Sequence, residues 1–229
     1  MNTQDSSKTA KPAKSRPDLL IERAYKALVA QLRDGQLASG TFLSMPMLVD
    51  RLDLPIAAVR DAVKRAEASG LVTVIPKRGV MIMDAGPRST RECLDLRAMF
   101  DCEGARRLIE NGCDTPLTAL RDAHERLRDD AADKTISGLS RSAVETDLSL
   151  HDALSDGLGS GLAARLYAEN RDRIAVIQNT RPFLPDRIVS AMEEHLAIIS
   201  ALEARNVDAA IVAIRDHLES TLRWWGIGI

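Results

Sequence analysis

The chain has 229 residues and a mass of 25.0 kDa, room for one large domain or two small ones. Its 31 Lys and Arg against 33 Asp and Glu leave a formal net charge of −2, and 45% hydrophobic with 28% charged residues excludes long disorder. Aromatics at 3% weigh against an all-β sandwich or barrel, and no apolar run reaches the roughly 18 residues of a membrane span or forms the apolar core of a secretion signal.

Residues 1–84 carry 13 basic and 9 acidic side chains, and residues 85–229 carry 18 and 24. A net of +4 in front of a net of −6 suggests a front half that meets an anionic polymer. Three cysteines, Cys93, Cys102 and Cys113, form no C-x-x-C pair and read as reduced thiols of a cytoplasmic protein.

In chain order, residues 1–16 are polar, with Lys8, Lys11, Lys14 and Arg16, and are expected to form a disordered basic arm. Leu20, Ala24, Leu28 and Leu32 recur four apart and predict an amphipathic helix ending near Gly35. Met47, Leu48 and Leu52 pattern a short helix, and Pro55 starts the next, with Val59, Ala62, Val63 and Ala66 on one face and Gly70 closing it. Residues 71–75 and 80–83 are β-prone runs around Pro76-Lys77-Arg78-Gly79, a hairpin signal. That order is a winged helix-turn-helix over 17–84. Ala85-Gly86-Pro87 marks a linker at 85–88. Residues 89–229 then predict an all-α bundle of six helices, roughly 89–111, 116–133, 138–157, 162–179, 185–205 and 208–225. The expected fold class is mainly α, a winged helix-turn-helix followed by an all-α helical-bundle domain.

Of four histidines, His151, His195 and His217 each lie on the apolar stripe of a different predicted helix, so their imidazoles should point into the bundle. Asp147, one turn before His151, projects from the same face. Three inward imidazoles and a carboxylate are a plausible divalent-metal site, although hydrogen-bonded core histidines are the commoner outcome of such a pattern. His124 sits among Arg121, Glu125, Arg126 and Arg128 and is expected to be solvated.

Several fragments together resemble the GntR family of bacterial transcription regulators and, in the rear half, its FCD branch. Residues 35–43 are similar to the family's G-x-L-x-P-G-x-x-L stretch, residues 59–63 to V-R-E-A-L, residues 67–72 to E-x-x-G-L-V, and Lys77-Arg78-Gly79 to the wing's x-R-G. In the rear, residues 147–151 resemble D-x-x-F-H, with Leu150 for the phenylalanine; Glu194-His195 and His217-Leu218 resemble the later E-H and H-L pairs. The resemblance runs from about 20 to 225. One departure bears on function: residues 55–58 replace the usual Ser-Arg-Thr-Pro, which puts Ile56 where the family carries a DNA-contacting arginine. Isoleucine can meet a thymine methyl but cannot fork onto guanine, so the operator should differ from the family's common one.

The resemblance implies a dimeric, ligand-responsive regulator, most often a repressor, on a pseudo-palindromic double-stranded operator. It implies that Asp147, His151, His195 and His217 ligate a divalent metal, Zn²⁺ or Ni²⁺, and that Arg97 lines a pocket for a small carboxylate effector. Arg97 can equally be spent on a surface pair with Asp101. Arg60, Lys64, Arg65, Lys77 and Arg78 are the implied DNA-contacting residues. The rivals are a helical metalloenzyme, for which no nucleophile motif or evident general base exists, a regulator whose metal is purely structural, and a partner-binding protein without operator recognition.

Overall fold

In the computed structural model, which describes residues 16–112, 116–133, 138–181 and 183–228, the four-residue spacing near the N-terminus folds as α1 (Arg16–Arg33), with Ala24, Leu28 and Leu32 buried. The expected arm lies outside the described residues apart from Arg16. Strand β1 (Phe42–Leu43) leads into α2 (Met45–Leu52), whose first turn is capped by the Ser44 hydroxyl accepting from Met47 N–H at 3.4 Å. Asp53 reverses the chain in the left-handed region at φ 48°, and α3 (Ile56–Ala68) follows from Pro55. Five residues of α3, Ala58, Val59, Ala62, Val63 and Ala66, are buried, leaving Ile56, Arg60 and Lys64 on the open face.

Strands β2 (Val72–Ile75) and β3 (Gly79–Ile82) form the expected hairpin, joined by β1 in the antiparallel order β1-β3-β2. Gly79 sits at φ +152°, and a Cβ there would lie 2.2 Å from the Leu43 carbonyl oxygen, so the wing turn requires glycine. Lys77 and Arg78 crown that turn, both exposed.

Six helices follow: α4 (Pro87–Asn111), α5 (Leu117–Ala132), α6 (Ser140–Asp156), α7 (Gly161–Gln178), α8 (Pro185–Glu203) and α9 (Val207–Trp224). Helix α8 lies between α5 and α9 and buries ten residues, from Arg187 to Leu202. Gly104 on α4 meets the Leu154 carbonyl of α6 so closely that a Cβ would be 1.9 Å from it, and Gly157 meets Leu108 in the same seam. This close approach brings Asp101 and His151, each one turn earlier on its helix, within hydrogen-bond reach. Both described cysteines, Cys93 and Cys102, are free thiols; Cys113 lies outside the described residues.

The two domains are joined by more than the linker. Val176 of α7 belongs to the core of the winged helix. Asn179 Nδ2 donates to the last carbonyls of α1, Leu32 at 2.9 Å and Arg33 at 2.8 Å. Arg173 Nε donates to the Ser69 carbonyl at 2.7 Å, and Arg33 pairs with Asp172. The linker is itself pinned: Ala85 N–H donates to Ser39 Oγ at 2.8 Å, and its carbonyl accepts from Thr90 Oγ1 and Arg181 Nη2. A cleft of about 740 Å³ runs along this seam, lined by Arg33, Arg171, Leu148, Gln178 and Asn179 among others.

Candidate metal centre and DNA-binding face

The apolar stripes of three helices deliver their histidines to one point. Asp147 and His151 from α6, His195 from α8 and His217 from α9 are all buried, and one ligand atom from each lies within 4.8 Å of the others. His195 Nε2 and His217 Nε2 are 3.3 Å apart, and Asp147 Oδ1 is 3.6 Å from His195 Nε2. The ring nitrogens on the far sides are engaged: His151 Nδ1 with Asp101 Oδ2 at 2.8 Å and His217 Nδ1 with Glu194 Oε2 at 2.7 Å. An ionised carboxylate accepts only, so Glu194 fixes the proton on His217 Nδ1 and leaves its Nε2 as a lone pair.

This donor set fits a divalent metal. His151 Nε2 is buried without a hydrogen-bond partner, an arrangement that costs free energy unless something positive meets it. Metal–imidazole bonds of about 2.0–2.1 Å place tetrahedral ligands about 3.3 Å apart, the separation found between His195 Nε2 and His217 Nε2. Carboxylates behind the imidazoles are the usual way such ligands are oriented.

The electrostatics keep Asp147, His151 and His195 in the form that can coordinate a metal. Burial holds His151 and His195 well below the ordinary imidazole value, hence neutral, and lowers His124 as well. Burial opposes ionisation of Asp147, but the Arg97 guanidinium and the Gln178 hydrogen bond outweigh it and hold the carboxyl below its usual range. Burial works against Glu194 too; hydrogen bonds from His217 and Arg187 keep it low. Asp101 goes the other way, pushed up to about 7 by burial.

Arg97 is 3% exposed and faces this cluster, with Nη2 at 3.3 Å from His217 Nε2 and Nη1 at 3.7 Å from Asp147 Oδ2. The alternative surface pair with Asp101 is therefore absent: Asp101 is buried as well and bonds His151. His124 corrects the sequence reading outright. It is fully buried, not solvated, and its Nε2 lies 3.1 Å from His195 Nδ1. Leu117, Leu120, Leu127 and Ala131 share its helical stripe, a signal overshadowed by the flanking charges. Gln178 and Arg187 have no place in the sequence reading, and Asp101 and Glu194 enter it only as a surface partner of Arg97 and as part of the E-H pair. Gln178 Nε2 donates to Asp147 Oδ2 at 2.9 Å, and Arg187 supports Glu194 at 2.8 Å. The Asp101–His151 and Gln178–Asp147 pairs join different helices and leave no local spacing signature.

On the front domain, Arg60 and Lys64 of α3 and Lys77 and Arg78 of the wing are exposed. Lys64 also pairs with Asp61 at 2.9 Å. Arg65 is engaged with α1: it donates to Glu22 at 2.8 Å and its guanidinium lies 3.8 Å from the Tyr25 ring centroid.

Residues 20–82 match the family model described as bacterial regulatory proteins, gntR family, and residues 92–220 match the FCD domain model. The chain is 26% identical over 211 residues to an uncharacterized HTH-type transcriptional regulator BphR of Paraburkholderia xenovorans strain LB400, covering 89% of this chain and 84% of that one. It is 25% identical over 160 residues to the HTH-type transcriptional repressor NanR of Citrobacter rodentium strain ICC168, covering 67% of this chain and 58% of that one. Among solved structures, Escherichia coli McbR/YncC superposes with a TM-score of 0.73 at 17% identity, covering 90% and 97% of the two chains. A GntR regulator from Rhodococcus sp. RHA1 gives 0.73 at 21%, covering 91% and 99%, so both share the fold. A winged helix presenting a basic helix and turn, fixed to a histidine-lined bundle, thus carries both signatures in order, and the chain belongs to the GntR family of DNA-binding transcription regulators, with an FCD effector domain.

Proposed function

We propose that the protein is a metal-dependent, effector-responsive repressor that binds a pseudo-palindromic operator as a homodimer in the cytoplasm. The observation carrying the sensor half is the approach of His195 Nε2 and His217 Nε2 to 3.3 Å beside the orphaned His151 Nε2. Asp147, His151, His195 and His217 would hold the metal, zinc or nickel by the imidazole-rich donor set. When bound, the ion supplies a Lewis acid open to an anionic oxygen donor. Arg97 and Arg187 face the carboxyl groups of Asp101, Asp147 and Glu194, so a dication leaves at least one net positive charge in a buried site. That balance favours an anionic effector, and Arg97 is placed to grip a small carboxylate.

Arg60, Lys64, Lys77 and Arg78 present the basic face to DNA, and Ile56, 47% exposed at the first turn of α3, offers an apolar contact in the same groove. Arg65 contributes by fixing α3 against α1. Helix α7 supports communication between the halves: Gln178 bonds the ligand Asp147, and the next residue, Asn179, caps α1. An effector that alters Asp147 thereby bears on the helix that α3 packs against.

Fluorescence anisotropy tests this reading on DNA from upstream of the gene and on scrambled DNA, at several salt concentrations, with zinc or with chelator. Sequence-selective, salt-weakened binding that shifts with zinc is expected. Equal affinity for both DNAs in every condition overturns the assignment of that operator, and selective binding indifferent to zinc and chelator overturns metal dependence. Unfolding on chelation marks the metal as structural instead.

A further inference from the structure

We propose that His124 is a positioning residue for the metal centre, the outer partner that turns His195 Nε2 toward the ion. This rests on the metal-centre reading above. The backbone carbonyl of Leu120 can only accept, so the 2.7 Å contact at His124 Nδ1 places the proton on that nitrogen. His124 Nε2 is then a lone pair, and it faces His195 Nδ1 at 3.1 Å. His195 must donate there, which leaves its own Nε2 as a lone pair directed at His217 Nε2 and Asp147 Oδ1. The relay runs in one direction: the Leu120 carbonyl accepts from His124, and His124 accepts from His195.

Each coordinating imidazole thus has its own anchor on a different helix. Asp101 of α4 holds His151, Glu194 of α8 holds His217, and His124 of α5 holds His195. Two anchors are carboxylates and one is a neutral imidazole. The distinction has a charge consequence: a third carboxylate would lower the net positive charge that a dication leaves for an anionic ligand, whereas a histidine orients His195 without adding negative charge. His124 also connects α5 to the centre, since α5 supplies none of the four ligands.

The test compares wild type, His124→Gln and His124→Phe by zinc competition against a chromophoric chelator. The glutamine side chain keeps an oxygen that can accept from His195 Nδ1–H; phenylalanine keeps the ring volume and no acceptor. His124→Phe is expected to weaken zinc binding about 10–100-fold, the usual effect of losing an outer partner, and His124→Gln to recover most of that loss. Nitrogen-15 imidazole spectra of the wild-type protein provide a readout that does not depend on a variant folding. The His195 ring is expected to carry its proton on Nδ1 before and after zinc loading. Equal zinc affinity in wild type and His124→Phe, or a His195 ring protonated on Nε2 in the metal-free protein, overturns the positioning role alone. A wild-type protein that binds no zinc overturns the metal centre, and the role with it. Zinc bonded to His124 itself makes it a ligand and also overturns the proposal.

Discussion

The two domains bury different kinds of side chain. Among the described residues, the core of the winged helix is built from Leu, Val, Ile and Ala, and Ser69 is its one buried polar residue. The bundle buries Arg97, Asp101, Asp147, Asp172, Arg187 and all four histidines. Apolar burial stabilises whether or not a ligand is present, at roughly 25 cal/mol per Å². Buried ionisable groups cost free energy unless each finds a partner. The front domain is therefore a finished scaffold that carries its information on the surface, while the bundle holds its information inside, in a cluster with an unmet lone pair.

Substitutions should separate these two designs, and the largest effect belongs in the bundle. Replacing His151 by alanine is expected to reduce zinc affinity by more than the roughly 100-fold seen for outer partners, with circular dichroism of the metal-free protein retained. Saturating zinc at about 100–1,000 times its dissociation constant adds on the order of 3–4 kcal/mol to wild-type stability; His151→Ala should lose that gain, and a variant still stabilised by zinc contradicts the ligand set. The next effect lies on the front surface. Arg60→Ala is expected to cost about 1–3 kcal/mol in operator binding, measured by anisotropy, with zinc affinity unchanged; a parallel loss of zinc binding would deny the division between the halves.

The seam supplies a smaller effect. Asn179→Ala removes two donors from the end of α1 without touching a ligand. Zinc affinity should hold while the zinc-dependent shift in operator affinity shrinks by on the order of 0.5–2 kcal/mol, and an unchanged shift removes α7 from the path. The smallest effect is the pH slope of the metal-free protein. His124, His151 and His195 all titrate below the ordinary imidazole value when folded. Their contribution is fully present above about pH 6.5, where the unfolded chain is also neutral, and is lost as pH falls toward the depressed folded values. Asp101, pushed up to about 7, gains protons in the folded state over the same window and opposes them, one group against three. The melting temperature should therefore fall between pH 6.5 and 5, and a rise would contradict the burial of neutral imidazoles.

Periodic features were legible in the sequence and pairwise ones were not. Helices α1 to α9 follow from apolar spacing and from Gly and Pro breaks, because those signals repeat over several turns. Strand β1 is two residues long and exists through pairing with β3, so no local pattern announces it. Asp147, His151, His195 and His217 could be read because each sits on an apolar stripe. His124 misled because its stripe runs between Arg121, Glu125 and Arg128. Gly and Pro mark the linker in the sequence, but not the contacts that hold Ala85 from Ser39, Thr90 and Arg181. The contacts tying α7 to α1 link positions more than 130 residues apart through side chain and backbone, and a one-dimensional pattern does not encode them.

The central claim, that the bundle interior is a metal site, is tested most directly by counting metal. Protein dialysed against buffered zinc and then against metal-free buffer, with zinc measured by elemental mass spectrometry, should retain one ion per chain. His151→Ala, treated identically and still folded, should retain none. Wild-type protein that keeps no zinc or nickel, or a variant that keeps as much as wild type, would contradict the account.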